Sequence, residues 1–164
     1  AKLVAPLGAN IIGVNKKGKP VKGCSKIITI EKLDTVLPDA DILYLALPET
    51  KETKNLINKK RLNLLKPSCG IVNIGRQSVL DYETLCKKLN KKEIAGAILD
   101  VFTPEPIPKT SKLWHTTNLI ITPHVSSDDN GNYVKMTLNL FVKNLKSFIK
   151  NKKLLNQINK NLGY

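Results

Sequence analysis

The sequence has 164 residues, of which 41% are hydrophobic and 24% are charged, and its formal net charge at pH 7 is +14. The hydrophobic fraction is too high for a disordered chain, and the length suits one domain with its own core. No stretch is long and apolar enough to predict a membrane helix, so no membrane partner is expected. The three cysteines are too far apart for a zinc site or a disulfide framework, which predicts reduced thiols, a cytoplasmic protein and no metal site.

The positive charge comes almost wholly from lysine, because Arg61 and Arg76 are the only arginines. The lysines are spread along the chain rather than gathered in one motif. Net charge by itself describes non-specific association and says little about fold. We therefore expect no specific nucleic-acid partner.

In chain order, continuous apolar runs predict buried strands at 10–14, 42–47, 70–74, 94–99 and 119–122. Helices are predicted at 31–37, 53–57, 59–65 and 82–89, with Asp81 as N-cap of the last and Gly8 as C-cap of a helix that ends at residue 7. The final stretch repeats apolar residues at helical spacing from Val134 to Phe148, which predicts a long amphipathic helix. Apolar strands separated by helices predict a parallel sheet covered on both faces, a doubly wound α/β fold.

Ligands of such folds bind beyond the carboxyl ends of the strands. Four residues that follow predicted strands are chemically notable: Arg76, Asp100, Glu105 and His124. Arginine binds a carboxylate through two hydrogen bonds, although an ordinary salt bridge to Asp81 or Glu83 is an open alternative for Arg76. A carboxylate beside a histidine favours the protonated imidazole, and a proton held in this way can be donated to a substrate.

Three strings resemble motifs of the D-2-hydroxyacid dehydrogenases: Asn73-Ile74-Gly75-Arg76-Gln77-Ser78-Val79-Leu80-Asp81, Leu99-Asp100-Val101-Phe102-Thr103-Pro104-Glu105-Pro106, and Asn118-Leu119-Ile120-Ile121-Thr122-Pro123-His124 after Leu113-Trp114. The resemblance implies a Rossmann-like domain and hydride transfer between a nicotinamide cofactor and a small 2-oxo acid or (2R)-hydroxy acid. It implies that Arg76 holds the substrate carboxylate, His124 is the general acid and Glu105 keeps His124 charged. It also implies a homodimer.

The resemblance further implies residues around the cofactor. Asp100 is expected near the nicotinamide carboxamide, and the other expected contacts are Leu47, Pro48, Ile74, Gly75 and Ser126. NAD-preferring relatives place an acid after the second strand, whereas this sequence has Asn15, Lys16 and Lys17 there. Two cations without a carboxylate favour NADP over NAD, although both lysines could simply be solvated loop residues.

The sequence departs from the family at two places. Gln77 follows the arginine where the family usually has glycine, as in some glyoxylate and hydroxypyruvate reductases, which favours those two substrates. The loop G-x-G-x-x-G is not in the sequence. We therefore expect residues 1–127 to form an NAD(P)-binding domain that lacks its first strand and Gly-rich loop, and 128–164 to pack toward a missing substrate domain. On this basis the fragment alone is expected to be inactive.

Two other functions stay open. Some relatives act as nucleotide-sensing corepressors, which keep the fold without turnover, and a truncated, inactive remnant is the second alternative. Intact Arg76, Glu105 and His124 argue against long decay.

Overall fold

The structure, a computed structural model, describes residues 1–129 and 131–160. Its strands form two parallel sheets. The smaller pairs β1 (Ile12–Val14) with β2 (Lys26–Ile28). The larger has the order β3 (Ile42–Leu45), β4 (Gly70–Asn73), β5 (Gly96–Leu99) and β6 (Leu119–Ile121). All pairs are parallel, so every carboxyl end of the larger sheet lies at one edge.

Within residues 1–129 and 131–160, three α-helices accompany the strands: α1 (Lys59–Leu62), α2 (Tyr82–Asn90) and α3 (Tyr133–Ile149). The Asp81 carboxylate accepts a hydrogen bond from the Thr84 N–H at 3.0 Å, which confirms the predicted N-cap of α2. Gly8 has the left-handed conformation that its predicted C-cap role requires. Parallel sheets with flanking helices and a long last helix confirm the predicted α/β class.

Several predicted elements differ in the structure. The helix expected to end at residue 7 is the short 3-10 helix Ala5–Leu7. The helix expected over 31–37 is replaced by two 3-10 helices, Ile30–Thr35 and Leu37–Asp39, because Pro38 is tolerated in the first turn of the second. In place of the helix expected over 53–57, residues 53–55 form a turn and Ile57 makes a parallel β-bridge with Leu80, and α1 is shorter than the predicted 59–65. Strand β2 was not predicted, since its apolar run is short and begins at an exposed lysine.

The larger sheet buries one face only. The cross-strand row Leu45, Asn73, Leu99 and Ile121 lies on the side of the main core, where α1 and α2 contribute Leu62, Leu85 and Leu89. On the other side, Ile42, Tyr44 and Ile120 are 67%, 59% and 58% exposed. The expectation that both faces would be covered is therefore wrong for this face.

Helix α3 has three distinct sides. Its partly buried side carries Leu140, Asn144 and Ser147, and Asn144 makes two hydrogen bonds with the backbone of Leu155. An exposed apolar side is formed by Val134, Leu138, Phe141, Val142, Leu145, Phe148 and Ile149. The neighbouring side carries Lys135, Lys143, Lys146 and Lys150. Across residues 1–129 and 131–160, no helix has the length and apolarity needed to cross a membrane.

Candidate active site

Two loops bring His124 and Glu105 into contact. His124 follows β6 and Glu105 follows β5, which are neighbours in the sheet. The His124 Nδ1 atom lies 2.9 Å from the Glu105 carboxylate, and the two side chains are 45% and 38% exposed. A protonated imidazole beside a carboxylate that solvent still reaches is suited to donate a proton to a bound molecule.

Glu105 is held in place from its own loop as well. Its second oxygen accepts a hydrogen bond from the backbone N–H of Phe102 at 2.7 Å. The hydrogen bond to His124, followed by that from Phe102, lowers the pKa of Glu105 below its usual value. Glu105 is therefore ionised near neutral pH, and its negative charge lies beside the His124 imidazole.

Asp100 lies directly after β5 and is 1% exposed. Its carboxylate accepts hydrogen bonds from the backbone N–H groups of Val125 at 2.9 Å and Ser126 at 3.0 Å, and from the Thr122 hydroxyl. Burial by itself raises the pKa of Asp100, but the hydrogen bonds from Ser126, Thr122 and Val125 outweigh it and lower this pKa to about 2. An ionised, buried carboxylate thus binds the loop that carries His124.

Arg76 lies on the turn after β4, and its side chain is exposed. Its guanidinium Nη1 donates to the Gly75 carbonyl at 2.7 Å. Within the described part of the chain it forms no ion pair with Asp81 or Glu83, because Asp81 bonds Thr84 and Glu83 bonds Lys87. The structure records no direct contact of Arg76 with His124 or Glu105, so Arg76 belongs to the same sheet edge without touching the pair.

A fully buried amide connects the Arg76 turn to the next strand. Asn73 Nδ2 donates to the Arg76 carbonyl at 3.1 Å and lies 3.2 Å from the Tyr82 hydroxyl, while Asn73 Oδ1 accepts from the Gly75 N–H. The Tyr82 hydroxyl donates to the Val101 carbonyl at 2.8 Å. Burial raises the pKa of Tyr82 far above its usual value, so its hydroxyl stays a donor. This network fixes the Arg76 turn relative to the segment that leads to Glu105.

A comparison of the sequence with protein-family models agrees with the geometry of this sheet edge. The sequence model described as "D-isomer specific 2-hydroxyacid dehydrogenase, NAD binding domain" matches residues 1–126, which include all three motifs. The chain belongs to this family. The resemblance seen in the sequence is thereby confirmed, and the carboxyl edge of the larger sheet is the candidate active site of a 2-hydroxyacid dehydrogenase domain.

Curated relatives are longer than this chain. An uncharacterized protein of Corynebacterium melassecola is 33% identical over 163 residues, which are 99% of this chain and 53% of that protein. Glyoxylate/hydroxypyruvate reductase B of Pectobacterium carotovorum is 44% identical over 95 residues, which are 58% of this chain and 30% of that enzyme. The chain thus spans about half or less of the length of these relatives.

Solved dehydrogenase structures share the fold over the whole chain. A D-isomer specific 2-hydroxyacid dehydrogenase from Xanthobacter autotrophicus, in complex with NADPH and MES, superposes with a TM-score of 0.90 at 31% identity, covering 100% of this chain and 66% of that one. An NADPH-dependent glyoxylate/hydroxypyruvate reductase from Sinorhizobium meliloti, in complex with NADP and sulfate, gives 0.90 at 25% identity, covering 100% and 52%.

The residues expected to contact the ribose of the cofactor lie after β1. Asn15 Oδ1 accepts from the backbone N–H groups of Lys17 at 3.1 Å and Lys19 at 3.2 Å, which closes the predicted turn. Lys16 forms an ion pair with Glu52 at 2.6 Å. Lys16 and Lys17 are exposed, and residues 15–20 contain no carboxylate, but Glu52 brings one to Lys16 from another part of the chain.

The remaining cofactor candidates line the ends of β3 and β4. Gly75 packs against the backbone of Leu47, where a Cβ would lie 2.5 Å from the Leu47 carbonyl oxygen, so only glycine fits. Pro48 is exposed, and its carbonyl accepts from the Thr53 hydroxyl at 2.6 Å. Ile74 is half-buried beside them, and Ser126 is exposed in the His124 loop. These residues share one edge, and their contacts with a cofactor stay predictions.

Sequence reasoning missed Asn73, Tyr82 and Thr122. Asn73 carried a signal, because it is the one polar residue inside the run 70–74 and a buried polar group must find hydrogen-bond partners. Tyr82 and Thr122 gave no such signal in the sequence, since a tyrosine in a helix and a threonine at a strand end are common.

Proposed function

We propose that this domain serves the NADPH-dependent reduction of a small 2-oxo acid to its (2R)-hydroxy acid. The observation that carries the proposal is the contact of His124 with Glu105 at the carboxyl edge of the sheet. The nicotinamide, when bound, supplies the hydride. Glyoxylate and hydroxypyruvate are our proposed substrates, since Gln77 follows Arg76 here and matched relatives are named for those two reductions.

Each side chain has a distinct part in the proposed reaction. Since Nδ1 of His124 is bonded to Glu105, we assign Nε2 to the substrate oxygen that needs a proton as hydride reaches the neighbouring carbon. Glu105 orients the ring and stabilises its protonated form. Arg76, whose planar guanidinium suits a carboxylate, binds the substrate's acid group and orients its carbonyl. Metal ions have no part in this scheme.

The first test is turnover in the full protein with a His124→Asn variant, with NADPH or NADH and with glyoxylate or hydroxypyruvate. We expect the variant to lose about 100-fold or more of kcat, since it removes the general acid. His115→Asn is the matched control, because His115 lies in the 3-10 helix Lys112–His115 outside the pair, and it should keep full activity. Equal activity of both variants would disprove the proposed role, and cofactor binding without turnover would favour the corepressor-like alternative.

We propose NADP over NAD as the cofactor, with Lys16 and Lys17 binding the 2′-phosphate. The supporting observations are the closed turn at Asn15 and the position of both lysines beyond β1. A Lys16→Ala/Lys17→Ala variant should lose NADPH affinity by about tenfold or more and keep NADH affinity, because each lost charge contact is worth of order 1 kcal/mol.

Lys152→Ala/Lys153→Ala is the control for that variant, since it removes the same charge from an exposed segment distant in sequence. The measurement is the dissociation constant of each cofactor by fluorescence titration. An unchanged NADPH-to-NADH ratio in the Lys16/Lys17 variant would leave both lysines as solvated loop residues.

We also infer the architecture around this chain. In the strand order 3-2-1-4-5-6 the first strand lies between the second and the fourth. If β1 and β3 are the second and fourth strands, its place is between the two sheets seen here. Residues 1–127 would then be an NAD(P)-binding domain that needs this strand and its Gly-rich loop, and 128–164 would pack toward a substrate domain. The 164 residues alone should show no turnover.

A homodimer and a cytoplasmic location complete the proposal. The exposed row of the larger sheet offers surface for a second copy, because the apolar side of α3 is assigned to the substrate domain. All three cysteines are free thiols, with Cys69 buried and the other two half-buried, as suits a reducing compartment.

A further inference from the structure

The loop that carries His124 has a strained backbone. His124 has a φ of +57°, in the left-handed region that residues other than glycine rarely adopt. Its own N–H bonds the Thr122 carbonyl at 3.0 Å, two residues back. A residue with a side chain is disfavoured in this conformation, because its Cβ lies close to the following carbonyl oxygen. Contacts from outside the loop help to hold His124 in the orientation that reaches Glu105.

The Asp100 carboxylate bonds the loop on both sides of His124. One oxygen accepts from the Thr122 hydroxyl, two residues before, and from the Val125 N–H, one residue after. The other accepts from the Ser126 N–H. Within the described part of the chain, Asp100 is thus the only group seen to form hydrogen bonds with residues 122, 125 and 126 together.

These bonds leave little of Asp100 for a ligand. A carboxylate has about four lone-pair positions, and three donors from the loop are directed at this one. Its side chain is also almost inaccessible, at 1% exposure.

We propose that Asp100 is the positioning residue of His124: it fixes the strained 122–126 loop so that the imidazole meets Glu105, and it acts on the reaction through that contact. The inference rests on the proposed function, in which His124 donates the proton. In this role Asp100 supports the proton donor without touching the substrate.

The test compares Asp100→Asn with Asp81→Asn in the full protein. The asparagine keeps the size but replaces one acceptor oxygen by a donor, which faces an N–H group of the loop. Asp81 is a matched control, because its carboxylate also accepts from a backbone N–H and a threonine hydroxyl, both of Thr84, but at the start of α2. Two quantities are measured: kcat against the KM for NADPH, and the proton NMR signal of the His124 Nδ1–H.

The expected result is specific to positioning. Asp100→Asn should lower kcat about ten- to a hundred-fold, the range expected when a reacting group is misplaced by about 1 Å, with the KM for NADPH changed less than about threefold. The downfield Nδ1–H signal of an imidazolium bonded to a carboxylate should be lost at the same time. Asp81→Asn should retain both. A raised KM with unchanged kcat and signal would overturn the proposal and make Asp100 a cofactor ligand.

Two measures keep the test decisive. If Asp100→Asn does not fold, Thr122→Val removes one donor and leaves the carboxylate in place. That variant should weaken the Nδ1–H signal and lower kcat in the same direction, and an unchanged signal would overturn the proposal. The NMR signal requires no turnover, so a protein that reduces no 2-oxo acid would refute the proposed function while the signal still decides the role of Asp100.

Discussion

Glu105 connects the candidate acid to the stability of the fold. Its pKa is lowered by the hydrogen bonds from His124 and Phe102, so its ionised form is the one that the folded state favours. A carboxylate with a lowered pKa adds stability above its usual pKa, and this stability is lost as the pH falls through the lower value of the folded state. The window for Glu105 therefore lies below its usual value of 4.5.

We expect Glu105→Gln to be less stable than the unsubstituted protein near neutral pH, and the difference to shrink on acidification below this window. Urea unfolding at about pH 7, 5 and 3 measures the free energy of unfolding of both proteins. Glutamine keeps a neutral acceptor for the Phe102 N–H but loses the charge. A difference that stays constant down to about pH 3 would show that the Glu105 charge contributes nothing to the pair.

Asn73 shows at the same scale why a buried polar residue belongs to a site. It occupies the buried row between Leu45 and Leu99, where an apolar side chain would pack without cost. A buried amide is stable there because both of its N–H groups and its oxygen have partners, in the Arg76 carbonyl, Tyr82 and the Gly75 N–H. At this position the chain gives up the packing of an apolar side chain. In return, the Asn73 amide fixes the turn that carries Arg76.

At the scale of elements, the sequence predicted strand existence and helix caps well. An uninterrupted apolar run is a local property, and a capping side chain bonds the N–H three residues along, so both can be read from neighbouring residues. Strand β2 and the 3-10 helices were beyond such reasoning, because short elements are fixed by tertiary packing more than by pattern. The exposed row of the larger sheet was equally hidden, since an apolar run looks the same whether one face or both are covered.

The candidate site divides in the same way. The order of strand-end residues predicted Arg76, Glu105 and His124 as site residues, and the structure places the last two in contact. The role of the Asp100 carboxylate could not be read from the sequence, because its donors lie 22 to 26 positions away on a loop whose path depends on the left-handed His124. Contacts that depend on a specific backbone conformation need coordinates.

At the scale of the whole molecule, the notable feature is the number of apolar side chains exposed on the surface. Phe141, Phe148 and Ile149 are 61%, 69% and 70% exposed on one side of α3, and Ile42 and Tyr44 are exposed on the larger sheet. Exposed apolar side chains in such number mark surfaces that another protein surface covers. The lysines on the adjacent side of α3 keep that side in water, so the apolar side is the one available for contact.

We therefore expect the 164-residue chain by itself to self-associate through the apolar side of α3. Leu138→Lys, which puts a charge into that side, should raise the dissociation constant of the dimer at least about tenfold, since a charged side chain loses its water on burial. Asn139→Lys adds the same charge on the lysine side of the helix and should leave association unchanged. Sedimentation velocity over a concentration series compares the three chains. If both variants weaken the dimer equally, net charge governs association. If neither variant weakens it, the copies contact each other through a different surface, such as the exposed row of the larger sheet.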